Sequence, residues 1–341
     1  MNQRKQKMNQ QNKNYVNKLK ELIHNAQKIA LIGHKDPDGD CLGSLLGIFG
    51  LIQQMKGKIE DDHYQMHVYV DGETPDNFQF LPDISKIDNK VSDNIYDLTL
   101  VLDASDKNRL GTMKSVFEKS NITAVIDHHI THKPFCDMTI LEPTYSSTGE
   151  MIFQLAKVWG LNITQNIGIC LYTAMLTDTG RFIYSSTSVN TLLAAAELMG
   201  LGVPFDKIAQ EVYGSDKKEV YLAKSYLQSQ TIFALDGLLA IIVMSRDVLD
   251  KFGVYQKDVD GLAESLRDIA GVEIGCLIKD LGSNNAKVSL RSKGTYDVAK
   301  FSASNGGGGH ARAAGFNLEM TAEHCIPWMI EALQTYIEGA K

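Results

Sequence analysis

Acidic and histidine side chains are concentrated at four places in the chain, and three of these places directly follow a short apolar segment. The four clusters are GHKDPDGD (33–40), Asp103 in VLDAS, DHH (127–129) and LTDTGRF (176–182). Carboxylates that share one crevice repel each other and raise each other's pKa values unless cations lie among them. The residue types therefore predict a metal-binding site.

The expected cofactors are two divalent cations per active site, most favourably Mn²⁺. Hard carboxylates and imidazoles without a thiolate suit manganese, magnesium, iron, cobalt or zinc, and a carboxylate-rich set favours manganese among them. Two such ions, roughly 3.5–4 Å apart, can share a carboxylate and a hydroxide and hold a phosphoryl group between them. The pattern therefore indicates metal-assisted hydrolysis of a phosphoester.

Short apolar strands that alternate with amphipathic helices must position these clusters. The predicted strands are KIALIGH (28–34), QMHVYV (65–70), DLTLVLDAS (97–105) and ITAVIDHH (122–129). Apolar strands separated by helices predict an α/β fold, with a mostly parallel, doubly wound sheet covered on both faces. Ligands of such sheets lie beyond the carboxyl ends of the strands, so the clusters should meet at one edge.

The pattern changes past Asn190, where a long helical stretch precedes a second group of short strands that begins near Leu238. The predicted parts are a first domain (1–195, with 1–20 as a polar lead-in), a helical connector (196–230) and a smaller α/β domain (231–341). The connector would let the two domains hinge over a cleft, and we expect the active site in that interdomain cleft.

Composition argues against several classes of protein. The formal net charge of -7 disfavours tight binding of long duplex nucleic acid, because proteins that bind it carry a basic face. No apolar run is long enough to cross a bilayer, so no membrane partner is expected. The five cysteines are scattered and lack CxxC spacing, which disfavours a disulfide framework or a structural zinc site and favours a cytoplasmic location.

From residue 29 to residue 316 the chain resembles the DHH phosphoesterases that carry a DHHA1 C-terminal domain. The motifs that carry the resemblance are GHKDPDGDCLGS, VLDASDKNRLG, VIDHH, LTDTGRF and GGGGHARAAGF, in that order. The resemblance implies that 1–195 is a DHH domain, that 231–341 is a DHHA1 domain, and that the protein is a metal-dependent hydrolase.

Within this family the chain most resembles the nanoRNase and pAp phosphatase group. Such enzymes hydrolyse short oligoribonucleotides (nanoRNA) and adenosine 3′,5′-bisphosphate (pAp), so short RNA or small nucleotides are the expected partners. Phosphodiesterases for cyclic di-AMP and its linear product pApA are close relatives and remain the alternative.

The apolar surface of the connector helices suggests a homodimer.

The resemblance also implies a role for each residue of the metal clusters. His34 and Asp38 would bind the first cation, Asp40, His128 and Asp178 would bind the second, and Asp103 would bridge both. A hydroxide that bridges the two ions would attack phosphorus. Asp103 is therefore predicted to be catalytic as well as a ligand, because it would hold both ions that carry the hydroxide. Asp36 is left over as a solvated group, and Asp127 is placed to hold an imidazole by hydrogen bonding.

Residues that leave a strand in succession point in different directions, so His128 can face a metal while His129 faces the phosphate. His129 is therefore predicted to bind substrate and to act in catalysis, by stabilising phosphoryl charge or by donating a proton to the leaving oxygen. Arg109 is predicted to contact the phosphate, with a structural ion pair as the alternative. Ser44 is interpreted as a helix N-cap.

A glycine-rich segment of the second domain is predicted to bind substrate. Gly307, Gly308 and Gly309 permit close approach of backbone N–H groups to an anion, and His310 would hydrogen-bond the same ligand. A flexible linker is the alternative interpretation of the glycines. Arg291 resembles the family arginine that contacts the phosphate or nucleotide from this domain.

Overall fold

The computed structural model describes residues 10–57, 64–259 and 261–339. The chain divides into two compact units, residues 1–215 and residues 216–341. We call these the first and the second unit.

A parallel sheet forms the centre of the first unit. Its strands are β1 (Lys28–Ile32), β2 (Gln65–Tyr69), β3 (Ile87–Asp88), β4 (Tyr96–Leu102), β5 (Ser120–Asp127) and β6 (Met138–Leu141). They lie in the order β3-β2-β1-β4-β5-β6, and neighbouring strands run parallel. The order reverses between β1 and β4, which is the switch point at which doubly wound sheets bind ligands. The predicted α/β fold with a mostly parallel sheet is confirmed.

Both faces of this sheet are buried, as the continuous apolar strands predict. Ile29 and Leu31 belong to one apolar cluster, whereas Ala30 and Ile32 belong to another, because side chains alternate between the faces of a strand. Helices of the first unit supply most of the covering layer. They are α1 (Gln10–Asn25), α2 (Gly39–Lys56), α3 (Lys114–Phe117), α4 (Thr148–Trp159), α5 (Gln165–Asp178), α6 (Val189–Gly200) and α7 (Phe205–Tyr213).

Helix α1 begins at Gln10, within the predicted lead-in at 1–20. Val16, Leu19 and Ile23 of α1 are buried in the main core of the unit. Their spacing of three and four residues places them on one face of a helix. Residues 1–9 of the predicted lead-in lie outside the described residues.

Helices α2 and α5 approach each other closely because glycines of α2 face α5. A Cβ atom at Gly43 would lie 2.3 Å from the carbonyl oxygen of Cys170, and one at Gly47 would lie 2.5 Å from Leu171. Near the start of α2, a Cβ atom at Gly39 would lie 2.5 Å from the side chain of Thr177. This packing brings the beginning of α2 next to the end of α5.

The predicted helical connector at 196–230 contains the end of α6, all of α7 and α8 (Lys218–Ser229). The first two helices belong to the first unit and α8 belongs to the second unit. The domain boundaries at 195 and 230 stay predictions.

The second unit contains a mixed sheet. Its strands are β7 (Ile232–Ala234), β8 (Leu239–Met244), β9 (Ile274–Gly282), β10 (Asn285–Ser292), β11 (Gly308–His310) and β12 (Ala313–Leu318). Its further helices are α9 (Arg246–Phe252), α10 (Leu262–Arg267), α11 (Val298–Ser304) and α12 (Ala322–Gly339). The strand order is β11-β12-β10-β9-β8-β7, with β8 and β9 parallel and the other pairs antiparallel.

No helix in residues 10–57, 64–259 and 261–339 is both long enough and apolar enough to span a bilayer.

Candidate active site

The carboxyl ends of three strands bring polar residues to the switch point of the first sheet. His34 follows β1 by two residues, Asp103 directly follows β4, and His128 directly follows β5. All three side chains are buried. Parallel strands end at the same edge, so residues far apart in the sequence meet here.

Two helix ends complete the set. Asp38 is the N-cap of α2 and accepts a hydrogen bond from the Cys41 amide at 3.0 Å, so the interpretation of Ser44 as the cap is wrong. Ser44 lies inside the helix, and its hydroxyl donates to Asp40 at 3.0 Å. Asp178 is the last residue of α5. The close contact of α2 with α5 therefore places Asp40 near Asp178.

These residues form three clusters that could hold a cation, with candidate ligand atoms within 4.8 Å of one another. The clusters are His34, Asp38 and Asp103; Asp40, His128 and Asp178; and Asp103, His128 and His129. All six predicted metal ligands belong to at least one cluster. Metal binding by each of them stays a prediction.

The first cluster surrounds Nε2 of His34. This atom lies 3.6 Å from Oδ1 of Asp38 and 3.6 Å from Oδ2 of Asp103. Both distances exceed the usual length of a hydrogen bond between nitrogen and oxygen. Three donor atoms therefore face a common space without bonding to each other, as ligands of one ion do.

The second cluster surrounds Nε2 of His128. This atom lies 3.3 Å from Oδ2 of Asp178, 3.7 Å from Oδ2 of Asp40 and 3.7 Å from Oδ1 of Asp103. Asp103 thus presents Oδ2 towards His34 and Oδ1 towards His128. Its backbone φ of 58° lies in the left-handed region, which aspartate tolerates better than most residues.

A backbone carbonyl lies near Nδ1 of each of the two histidines. Nδ1 of His34 lies 2.8 Å from the carbonyl oxygen of Lys35, and Nδ1 of His128 lies 3.3 Å from that of Tyr145. A ring whose Nδ1–H donates to a carbonyl carries its lone pair on Nε2, the atom that faces the carboxylates. Both rings are therefore arranged as metal ligands are.

The carboxylate of Asp40 is held at the start of α4. The amides of Thr148 and Gly149 donate to its two oxygens at 2.8 Å and 2.9 Å. The hydroxyl of Thr148 donates to Oδ1 of Asp103 at 3.0 Å. One helix N-terminus thus orients two acids, although sequence reasoning did not identify Thr148. The sequence STGE (147–150), in which Ser147 caps α4, could have predicted a helix start with free amides at Thr148.

The electrostatics of the acids favour a bound cation. Burial raises the pKa of Asp40 well above its usual range, and the charges of Asp103 and Asp178 raise it further. Burial likewise raises the pKa of Asp178 to about 6, against the opposing charge of His128. Divalent cations would relieve this repulsion, so the residues present fit a metal site.

His34 and Asp103 attract each other strongly. Burial alone would lower the pKa of His34, but Asp103 and Asp38 raise it to about 10. Burial opposes ionisation of Asp103, yet the neighbouring histidines hold its pKa far below the usual value. Asp103 is therefore a carboxylate throughout the physiological range, as a bridging ligand must be.

Asp127 holds an imidazole, as the sequence predicts. Its Oδ1 accepts a hydrogen bond from Nδ1 of His129 at 2.7 Å, and Nδ1 of His129 also lies 3.6 Å from Asp103. Burial would lower the pKa of His129, but Asp127 and Asp103 raise it to about 9. A protonated His129 beside the clusters could stabilise phosphoryl oxygens.

Arg109 and Asp36 lie near the rim of the site. Nη2 of Arg109 is 3.2 Å from Nδ1 of His34, and the half-buried guanidinium lies beside the first cluster. Asp36 is exposed and is in none of the three clusters, which agrees with its interpretation as a solvated acid.

Two residues that were predicted to bind substrate, Arg291 and His310, lie in register on strands of the second sheet. Arg291 of β10 pairs with Ala313 of β12, and Ala313 pairs on its other side with His310 of β11. Arg291 is half-buried, with Nε 2.7 Å from Oε1 of Glu264 on α10. The side chain of His310 lies outside the described residues.

The glycine-rich segment is partly an edge strand, because Gly308 and Gly309 belong to β11. A Cβ atom at Gly307 would lie 2.1 Å from the carbonyl oxygen of Gly315, and one at Gly309 would lie 2.4 Å from that of Ala313. Close packing on β12 thus requires two of the three glycines and explains them without a ligand. Substrate binding by this segment stays a prediction.

The model of the DHH family, N-terminal domain, matches residues 28–176, and the model of the DHHA1 domain matches residues 238–339. The chain belongs to the DHH/DHHA1 family. The two matched ranges fall in the first and the second unit, in the order that the motifs predict.

Similar DHH/DHHA1 proteins have names that state an activity. The chain is 28% identical over 314 residues to a bifunctional oligoribonuclease and PAP phosphatase NrnA of Thermus thermophilus. The match covers 92% of this chain and 91% of that protein. It is 24% identical to a cyclic-di-AMP phosphodiesterase GdpP of Geobacillus thermodenitrificans, over 95% of this chain and 50% of that protein.

Among solved structures, an exopolyphosphatase-related protein from Bacteroides fragilis is similar over nearly the whole DHH/DHHA1 chain. It superposes with a TM-score of 0.86 at 26% identity and covers 96% of this chain and 98% of that one.

Proposed function

We propose that this DHH/DHHA1 protein is a metal-dependent hydrolase of phosphoester bonds that acts on short oligoribonucleotides and pAp. The convergence of two histidines and four aspartates at the switch point carries the proposal. The relative with both activities in its name matches this chain over 92% of its length, so the resemblance includes both units. The relative named for cyclic di-AMP matches over only half of its own length.

Asp103 supports the finer proposal of two cations, most favourably Mn²⁺, because it faces both His34 and His128. Divalent cations held by the two clusters would lower the pKa of a water molecule and neutralise charge on the phosphoryl oxygens. Asp40 would stay fixed during the reaction because two backbone amides hold it. A rigid ligand set preserves the geometry that in-line displacement needs.

Three groups would contact the substrate. His129, fixed by Asp127, would stabilise the developing charge and protonate the leaving oxygen. Arg109 would contact the phosphate from the rim of the first cluster. Arg291 and the segment with Gly307, Gly308, Gly309 and His310 would bind the nucleotide from the second unit.

A substrate panel tests the proposal. The purified protein with Mn²⁺ is incubated with pAp, pApA, ribonucleotides of two to five residues, a 24-residue RNA and cyclic di-AMP. We expect hydrolysis of pAp and the short RNAs, with little hydrolysis of the 24-residue RNA or the cyclic dinucleotide. Rapid hydrolysis of cyclic di-AMP alone would favour the alternative function.

A variant in the second unit tests its role in substrate binding. Arg291→Ala should raise KM for pAp with a smaller effect on kcat, because the loss concerns binding before the transition state. Lys300→Ala is the matched control, since Lys300 is a cation of the same unit whose side chain is 79% exposed. An unchanged KM in Arg291→Ala would exclude nucleotide binding by this arginine.

Two further proposals concern the cellular context. The five cysteines are free and four of them are buried, which supports a location in the reducing cytoplasm. On α8, a helix of the predicted connector, Tyr221 and Leu222 are 64% and 43% exposed, which supports a homodimer that covers them. Light scattering at several protein concentrations would measure the oligomeric state.

A further inference from the structure

Asp127 binds two imidazoles at once. Its side chain is fully buried, and Oδ1 accepts from Nδ1 of His129 at 2.7 Å while Oδ2 accepts from Nδ1 of His132 at 2.6 Å. Both oxygens of one carboxylate are therefore used. The carboxylate cannot rotate about its Cβ–Cγ bond without breaking one of the two hydrogen bonds.

A turn after β5 creates this arrangement. The amide of His132 donates to the carbonyl oxygen of His129 at 3.1 Å, which folds the chain back so that both rings reach the same acid. The amide of Lys133 then donates to the carbonyl oxygen of Ser105 at 2.8 Å, which ties the turn to the loop after β4. The position of His132 is thus fixed on both sides.

His132 has a buried imidazole, and only one of the two ring nitrogens contacts Asp127. Its side chain is 0% exposed, and its Nε2 has no hydrogen-bond partner within residues 10–57, 64–259 and 261–339. The ring packs against Phe135, with 5.7 Å between the ring centroids. An apolar side chain in this place would avoid the cost of burying Nε2 without a partner but would leave Oδ2 of Asp127 buried without its donor, so the imidazole serves its bond to Asp127.

We propose that His132 is a positioning residue that acts on the reaction through Asp127 and His129, a role that rests on the function proposed above. His132 holds Oδ2 of Asp127 in place, so that Oδ1 fixes the ring plane and the Nδ1–H tautomer of His129. His129 is less buried, with 22% of its side chain exposed, and without this support its ring could rotate away from the substrate.

Three variants at position 132 separate positioning from packing. His132→Ala removes the hydrogen bond to Asp127, His132→Asn keeps an N–H donor close to the place of Nδ1, and His132→Leu fills the space without a donor. We expect His132→Ala and His132→Leu to lower kcat by on the order of tenfold or more with little change in KM, and His132→Asn to recover most of the loss. Equal activity of the asparagine and leucine variants would overturn the proposal.

A double-mutant cycle tests whether His132 acts through His129. In the background of His129→Ala, the further change His132→Ala should cost almost no activity, because the residue that it positions is already gone. Losses that multiply would show that the two residues act independently. His67→Ala is the control, since His67 is a partly buried histidine of β2 that contacts Tyr96 outside the site.

A measurement on the metal-free protein decides the proposal without an activity assay. With ¹⁵N-labelled histidine, proton NMR should show two strongly deshielded imidazole N–H signals, from His129 and His132. His132→Ala should remove one signal and shift or broaden the other, whereas a His129 signal that stays unchanged would contradict the proposal. If the wild-type protein hydrolyses none of the substrates, the proposed function fails while this result still tests the role of His132.

Discussion

At the scale of single residues, Asp103 has the contacts that a shared metal ligand requires. It is buried, its Oδ2 faces His34 while its Oδ1 faces His128, and Thr148 fixes Oδ1. Its pKa is held far below the usual range, so it needs no deprotonation before a cation binds. Loss of this carboxylate should therefore affect both clusters together.

Asp103→Ala should lower kcat for pAp by more than about a hundredfold, because even changes behind the ligands of a metal cost 10–100-fold. The matched control is Asp36→Asn, which changes an exposed acid beside the first cluster and keeps a side chain that tolerates its positive φ of 52°. The control should retain activity. Turnover of Asp103→Ala at the wild-type rate would refute the assignment of a shared ligand.

Metal affinity should fall as the pH is lowered through about 6. Burial raises the pKa of Asp178 to about 6, so below that pH a proton occupies this carboxyl group and competes with the cation for its oxygens. Isothermal titration with Mn²⁺ at pH 5.5 and pH 7.5 measures the effect. Comparison of buffers with different ionisation enthalpies would detect the released protons, and affinity independent of pH would contradict the prediction.

The ligand types could be predicted from the sequence because acids and histidines at strand ends leave few chemical alternatives. Asp38 as a helix cap, Thr148 as a donor to Asp103 and the burial of His132 could not be predicted. Each of these depends on the distance between segments that are far apart in the chain. His132 in particular looks like an isolated surface histidine until the turn after β5 is known.

At the scale of elements, the packing of α2 against α5 determines the second cluster. Asp40 lies at the start of α2 and Asp178 at the end of α5, so the distance between the helix axes sets the distance between the two acids. A helix after the first strand was predicted from the alternation of strands with amphipathic helices. The need for Gly43 could not be predicted, because it arises from the carbonyl oxygen of Cys170 on the partner helix.

Gly43→Ala should destabilise the protein by about 1–3 kcal/mol, the usual range for an overpacked contact, and should also weaken Mn²⁺ binding. The added Cβ would lie 2.3 Å from a backbone oxygen, which cannot move without shifting α5. Thermal unfolding and metal titration measure both effects. Gly200→Ala is the control at the end of α6, where a Cβ would meet nothing within 4 Å and stability should stay equal or rise slightly.

The strands that position the site were predicted nearly to their ends, whereas β3, β6, β7, β11 and β12 were missed. The missed strands of the first unit have two and four residues, which is too short for a pattern of apolar residues to emerge. β11 consists of two glycines and a histidine, a composition that indicates a loop. It forms a strand because its glycines allow the backbone to lie close to β12.

At the scale of the whole molecule, a net charge of -7 limits what the protein can hold. Binding of long RNA depends on many phosphate contacts and on the release of counterions from them. A protein with few cations at its site can contact only a few phosphates. Selection of short substrates is therefore compatible with the overall charge.

The dependence of pAp hydrolysis on salt should be shallow. Each contacted phosphate of a single strand contributes a slope of about -0.7 to the logarithm of affinity against the logarithm of salt concentration, so a slope no steeper than about -2 is expected. Measurement of KM between low and physiological KCl at constant Mn²⁺ tests this. A much steeper slope, or tight binding of a 24-residue RNA, would show a basic surface that the composition does not suggest.

Gly308 offers a place for a spectroscopic reporter. It lies between two glycines that tolerate no side chain, yet a Cβ at this position would meet nothing within 4 Å. Burial raises the pKa of all five native thiols and leaves them poorly reactive. A single cysteine introduced at 308 would thus accept a fluorophore selectively, and a change in its emission on addition of pAp would test whether this segment binds the nucleotide.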